Sequence, residues 1–97
     1  MYICKCWFDI HLLDEPNSLK RKRQVLKSLK DRIWNKFRVS IAEVGENDLW
    51  QKAELGIAFV SSDGTLIEQI FSKILNLIDT DDEVEIVDMF HDIEKVK

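Results

Sequence analysis

Glycine, proline and cysteine are scarce in this chain, which has three glycines, one proline and two cysteines among 97 residues. Because the three glycines stand apart from one another, the sequence contains no glycine-rich phosphate-binding loop. Cys4 and Cys6 are two positions apart on a predicted strand, at or beyond comfortable disulfide reach, so we expect free thiols in a reducing compartment. No apolar run is longer than a strand, and no basic leader precedes one. We therefore expect a cytoplasmic protein with neither a signal peptide nor a transmembrane helix.

Residues that carry catalysis or bind metals are also few. Two histidines, His11 and His91, and two cysteines match no zinc spacing, and the acidic run 79–83 lacks the glycine and the spacing of a calcium loop. Cys4 and Cys6 are predicted on the core face of a strand that places His11 on its other face, so they form no nucleophile–base pair. We expect no metal, no cofactor and no enzymatic activity.

Acidic and basic side chains are unevenly distributed along a chain whose net charge is −4. Residues 18–38 contain nine of the fourteen basic side chains and a single acid, which gives this segment a charge of +8. Residues 79–94 contain eight acids and neither lysine nor arginine. The net charge is therefore a poor guide to what each surface attracts.

The pattern of apolar residues predicts the order βαββαβ. The predicted strands are residues 2–12, 38–44, 53–62 and 84–93, and the predicted helices are residues 19–37 and 65–78. Asn17 or Ser18 is placed to cap the first helix. Thr65 and Glu68 have the spacing of a capping box at the second. Two βαβ units with right-handed crossovers predict one ferredoxin-like α+β domain over residues 1–97, with a four-stranded antiparallel sheet and both helices on one face.

The predicted sheet leaves its other face uncovered. By alternation this face carries Lys5, Trp7, Asp9, Ser40, Ala42, Val44, Glu54, Gly56, Ala58 and Val60. Many of these side chains are small or apolar, and such a face often contacts a partner. Because the third strand has no aromatic residue here, RNA binding across the sheet is disfavoured. We interpret Trp7 as a contact to a second subunit.

The first helix carries a row of cations beside its apolar arc. Lys20, Arg23, Lys27 and Lys30 have the spacing i, i+3, i+7 and i+10, Trp34 continues the row, and Arg21 and Lys22 complete the basic first turn. Each cation in a first turn destabilises the helix by roughly 0.3–1 kcal/mol, because it lies near the positive end of the helix dipole. Stability alone therefore does not select these cations. Such a row can follow a phosphate backbone, with the tryptophan as a stacking surface for bases. The four cations of the row, Trp34, Arg21 and Lys22 are therefore the seven candidate nucleic-acid-binding residues. The alternative is a solvated helix face.

A second cluster lies between the second and third strands. Glu43, Asp48, Trp50 and Gln51 place a large aromatic residue beside carboxylates. We predict Glu43, Asp48 and Trp50 as candidate interface residues. The alternative is that Trp50 covers the end of the core while Asp48 caps the turn.

Three segments of the chain resemble the YlxP-like family of small bacterial proteins of unknown function. They are "SLKRKR" at 18–23, "VSIAEVGENDLWQKAELGIAFVSSD" at 39–63 and "VEIVD" at 84–88. Arg21 stands where the family's first segment is expected to have an acidic residue, which strengthens the basic run. The resemblance implies a ferredoxin-like fold and no established catalytic residue. Neighbouring genes for translation initiation and ribosome maturation suggest a ribosome-associated role for the family.

These observations favour a non-enzymatic binding module whose first helix contacts ribosomal or other structured RNA. The alternative is a protein–protein adaptor or homo-oligomer that uses the uncovered sheet face and the acidic fourth strand, with a homodimer as its simplest form.

Overall fold

The chain folds into four strands and two helices in the predicted order. The computed structural model describes residues 1–13 and 18–97. Its elements are β1 (Tyr2–Leu12), α1 (Leu19–Phe37), β2 (Ser40–Gly45), β3 (Lys52–Ser61), α2 (Gly64–Asp79) and β4 (Val84–Lys95). Each predicted element is present, with small shifts at its ends.

The four strands form one antiparallel sheet in the order β2-β3-β1-β4. Alternate side chains of β1 are buried against the two helices, because a strand points successive residues to opposite faces. The centre of the core comprises Cys4, Phe8 and Ile10 of β1, Leu26, Leu29 and Ile33 of α1, Leu55 and Ile57 of β3, and Ile67, Phe71 and Ile74 of α2. The predicted ferredoxin-like α+β sandwich is confirmed.

Both helices begin at residues whose side chains accept backbone N–H groups. Ser18 caps α1, since its hydroxyl accepts from the backbone N–H of Arg21 at 3.2 Å. Asn17, the other candidate, lies outside the described residues. The cap predicted for α2 was wrong. Asp63 caps that helix, because its Oδ1 accepts from the N–H groups of Thr65 at 2.8 Å and Leu66 at 3.0 Å.

A bulge in β4 changes which of its residues face the helices. Ile86 pairs with Ile10, but Asp88 pairs with Asp9, so Val87 is the extra residue between them. Because of this extra residue, each β4 side chain after Val87 lies on the face opposite to the one that unbroken alternation from Ile86 predicts. Phe90 therefore lies opposite Trp7 on the uncovered face and is exposed. Simple alternation from Ile86 would have placed Phe90 in the core.

Candidate binding surface

Lys22 is buried, which contradicts its predicted place in a nucleic-acid interface. Only 1% of its surface is exposed. The ammonium donates hydrogen bonds to the carbonyl oxygens of Glu46 and Leu49, each at 2.6 Å. Glu43 Oε2 lies 3.2 Å away, outside hydrogen-bond angles but within ion-pair distance. The prediction was wrong because Lys22 lies on the core face of α1, four residues before the buried Leu26.

The contacts of Lys22 hold the connection between β2 and β3, residues 46–51. Glu46 has φ 60°, in the left-handed region that a residue with a side chain rarely adopts. Leu49 N–H donates to the Glu46 carbonyl at 3.2 Å and closes the turn. A hydrogen bond to a charged group contributes roughly 1.5–3 kcal/mol, so two of them from Lys22 can offset the strain at Glu46. One side chain thus ties segment 18–23 to segment 43–51.

The predicted interface residues of this connection have separate roles. Glu43 is an internal counter-ion of Lys22 with its side chain 22% exposed, and its role at an interface stays a prediction. Asp48, Leu49 and Trp50 are exposed. Trp50 in particular has 47% of its surface in contact with solvent, so it does not act as a lid over the core. Since the carbonyl of Leu49 is held by Lys22, the backbone next to Trp50 is fixed at the first turn of α1.

On one side of α1, cations pair with the turn between α2 and β4. Arg21 donates to Glu83 Oε2 at 3.1 Å, and Arg32 bonds Asp81. The basic segment and the acidic segment thus form direct ion pairs between α1 and the turn that precedes β4. Arg21 is half-buried in this contact, so it faces a carboxylate of its own chain.

On the other side of α1, the predicted row of cations faces solvent. Lys20 and Arg23 are exposed, and Lys30 is half-buried. Lys27 forms a surface ion pair with Asp31 at 2.7 Å. A pair of this kind contributes about 0.3–0.5 kcal/mol, so a polyanion can displace Asp31 from Lys27 at little cost.

This row runs along the β2 side of α1. Lys30 and Trp34 line a shallow groove with Val39–Ile41 at the start of β2. Trp34 is 47% exposed. The guanidinium of Arg38, which the site prediction missed, lies 5.4 Å from the centre of the Trp34 ring. Arg38 reaches the ring because it ends α1 in the left-handed conformation, with φ 55°.

We define the α1–β2 surface as Lys20, Arg23, Lys27, Lys30, Trp34, Arg38 and the exposed residues of the 46–51 connection. Lys22, which anchors the connection, is twelve residues before Trp34, about 18 Å along the helix at 1.5 Å per residue. Trp34 therefore lies toward the end of α1, and the connection that carries Trp50 is held to its first turn.

The uncovered sheet face is a second candidate surface. Trp7 is half-buried there and donates from Nε1 to Glu54 Oε1 at 2.9 Å. Val44 lies over Gly56, where an added methyl group would be only 2.9 Å from Val44 Cγ1. The predicted membership of this face agrees with the strand register, and Phe90 is the exposed apolar residue that the prediction missed.

Of the remaining candidates for chemistry, Cys6 of β1 and His91 of β4 are paired neighbours in the sheet. Cys4 and Cys6 are buried free thiols. Burial raises the pKa of the Cys6 thiol to about 12, and the adjacent Cys4 adds to the rise. His91 stacks on Phe71 of α2 with the ring centres 4.1 Å apart, whereas His11 lies near the other end of the sheet, opposite Glu85. Within residues 1–13 and 18–97, no group of three or more His, Cys, Asp or Glu is arranged to hold a metal ion, and no helix is long and apolar enough to cross a membrane.

Comparisons with known proteins identify relatives without a known activity. The family described as "Protein of unknown function (DUF503)" matches residues 3–90. The "Uncharacterized protein YlxP" of Bacillus subtilis (strain 168) is 42% identical over 82 residues, which are 84% of each chain. Among solved structures, a variant of SnoaB, a cofactor-independent oxygenase from Streptomyces nogalater, superposes with a TM-score of 0.51 over 99% of this chain and 93% of that one. At 6% identity, this likeness concerns the fold alone.

Proposed function

The chain belongs to the family of proteins of unknown function DUF503, and we propose that it is a non-enzymatic binding module that holds structured RNA on its α1–β2 surface. The observation that carries the proposal is the position of the buried Lys22. Its hydrogen bond to the Leu49 carbonyl joins the connection that carries the exposed Trp50 to the first turn of α1, the turn that also contains Lys20 and Arg23.

The chemistry of this surface suits a phosphate backbone with accessible bases. Exposed lysine and arginine side chains neutralise phosphates and release counterions, which makes affinity fall steeply with salt. Trp34 and Trp50 offer ring faces on which unpaired bases can stack, a contact that contributes roughly 1–3 kcal/mol per base. Double-stranded RNA offers no such bases, so we expect loops or bulges of a folded RNA to be preferred.

The acidic side chains of the protein influence which face of α1 is available to RNA. The acidic turn at 79–83 pairs with Arg21 and Arg32 on the far side of α1, so those two cations are engaged within the fold. The side of α1 next to β2 carries the row Lys20, Arg23, Lys27 and Lys30. A cytoplasmic location and a ribosomal RNA target belong to the same proposal, and the buried free thiols of Cys4 and Cys6 suit a reducing compartment.

Co-sedimentation of the purified protein with bacterial ribosomal subunits, across a salt series, tests the proposal. We expect binding at low salt that weakens as salt rises. Lys20→Ala/Arg23→Ala should lower the salt slope by about 2, because each lysine or arginine that contacts a phosphate adds roughly one. Trp50→Ala should weaken binding about tenfold, within the range of one stacked base.

A matched control removes the same charge elsewhere. Lys73→Ala/Lys97→Ala takes two exposed cations from α2 and the last residue of the chain, and should leave the salt slope unchanged. An affinity that does not change with salt, or that is reduced equally in the two double variants, would show that RNA does not bind to this surface. Failure of the wild-type protein to bind subunits or free ribosomal RNA at low salt would overturn the proposal as a whole.

A further inference from the structure

The uncovered sheet face concentrates apolar side chains that no other element among residues 1–13 and 18–97 covers. Ala42, Gly56, Trp7 and Phe90 form one row across the four strands, since each is paired with the next in the register. Val44, Val60 and Phe90 are 57%, 61% and 57% exposed. Large exposed apolar patches on a soluble domain commonly mark interaction sites.

A buried carboxylate oxygen lies in the next row of the same face. Asp9 Oδ1 is shielded from solvent and has no hydrogen-bond donor among the described residues. Its paired neighbours on β3 and β4 are Glu54 and Asp88, which supply no proton donor when ionised. Lys5 lies on the same face of β1 but four residues away, about 13 Å at 3.3 Å per residue, so it is too far to reach Asp9 within one copy.

We propose that two copies of this chain pack face to face through these sheets, related by a two-fold axis that runs across the strands along the row of Trp7. This operation stacks β1 on β1 in opposite directions. Lys5 of each copy then lies over Asp9 of the other. The Lys5 ammonium is exposed, 3.9 Å from Asp92 of its own copy, and its long side chain can turn from Asp92 toward the Asp9 carboxylate of the other copy. The charge pattern of β1 is thus complementary to itself under this axis.

The size of the face suits a dimer of modest affinity. Strands about 4.8 Å apart and about 3.4 Å per residue give the four-stranded face roughly 600 Å². A standard interface buries about 800 Å² per partner. On the edge strand β4 the same axis sets Asp88 of one copy opposite Asp92 of the other, so these acids keep their water at the rim and lower the affinity, while Trp7 lies in the apolar centre.

Sedimentation equilibrium from micromolar to about 0.5 mM protein measures this association. The expected mass rises from 11.4 kDa toward twice that value. Phe90→Asp should weaken the dimer at least tenfold, because it places a carboxylate in the apolar row beside Trp7 and opposite the same residue of the second copy. Leu66→Asp changes an exposed leucine of α2 on the other side of the molecule and should leave association unchanged.

Two charge variants test the direction of packing. Lys5→Asp alone sets two acids opposite each other in a homodimer, and Asp9→Lys alone sets two lysines opposite each other, so each protein should be monomeric. Mixed in equal amounts they should form a heterodimer, since both contacts again join a lysine to an aspartate. Circular dichroism of each variant shows whether the monomer remains folded. Phe90→Asp changes an exposed side chain outside the monomer core, so it tests the sheet face without disturbing that core.

Three results would overturn the inference. They are a wild-type protein that stays monomeric at 0.5 mM, a dimer insensitive to Phe90→Asp, and charge variants that fail to associate when mixed although both are folded. Capture of an unrelated protein by this face in place of a second copy would also contradict it. None of these variants alters α1, so the outcome is independent of RNA binding.

Discussion

Replacement of Lys22 by methionine tests whether the buried ammonium holds the fold together or merely fits within it. Methionine keeps the length and most of the volume of the side chain but donates nothing to Glu46 and Leu49, whose carbonyl oxygens are each 2.6 Å from the lysine nitrogen. It also leaves the half-buried Glu43 carboxylate without its counter-ion.

The magnitude follows from these three contacts. Removal of one member of a buried ion pair costs roughly 3–5 kcal/mol, because the remaining charge and carbonyl groups lose their partner without regaining water. We expect about 4 kcal/mol of lost stability, a large part of the roughly 5–15 kcal/mol typical of a domain. The melting temperature should then fall by about 15–30 °C.

Urea unfolding followed by circular dichroism measures the loss, and hydrogen exchange at the amides of residues 46–51 shows whether the connection opens first. Lys20→Met is the matched control: the same substitution two residues earlier, at an exposed position, should change stability by less than about 0.5 kcal/mol. The double variant Lys22→Met/Glu43→Gln should lose less stability than the sum of the losses in the two single variants, since it leaves no uncompensated charge at position 43. If Lys22→Met were as stable as Lys20→Met, the connection would not depend on Lys22 and its exchange rates would be unchanged.

Two further predictions concern pH and helix capping. Cys6 has an ordinary pKa near 9.0 when unfolded and about 12 when folded, so the unfolded chain loses this proton first and stability falls as pH rises from about 9 toward 12. The loss attributable to Cys6 should reach about 2–3 kcal/mol by pH 11, at 1.36 kcal/mol per pKa unit. The free energies of unfolding of the wild type and of Cys6→Ala, measured with urea, should therefore converge as pH rises. A constant difference between them across this pH range would contradict the raised pKa of Cys6. Asp63→Ala should cost about 1 kcal/mol in the same assay, while Thr65→Ala should cost a few tenths, because Asp63 accepts the first N–H groups of α2. Equal losses would indicate that Thr65 also contributes a cap.

The positions that sequence reasoning placed correctly are those governed by local periodicity. Alternation along residues 2–12 identified the buried face of β1, and the helical arc of Leu26, Leu29 and Ile33 identified the buried face of α1. These patterns survive folding because apolar burial dominates the free energy of each element. Their order, together with the handedness of crossovers, was enough to predict the ferredoxin-like sandwich.

The errors occurred where a residue's role depends on a partner distant in sequence. Lys22 looks like its basic neighbours, and only the carbonyls of Glu46 and Leu49, supplied by a different part of the chain, make its burial possible. A signal was present, since Lys22 falls within the apolar arc and not beside it. Phe90 was missed for a similar reason, because one extra residue in β4 reverses its side without any mark such as a glycine.

Composition and periodicity by themselves determined the secondary structure, the core, the topology and the concentration of cations on one helix, because each depends on apolar burial and charge within a few turns of chain. Tertiary structure decided which cations remain on the surface. Arg21 and Arg32 pair with the acidic turn, Lys22 is buried against the carbonyl of Glu46, and Lys20 and Arg23 stay exposed. The physical reason is that a charge is retained inside a protein only where donors, acceptors and a counter-ion converge, and that convergence is a property of the folded chain.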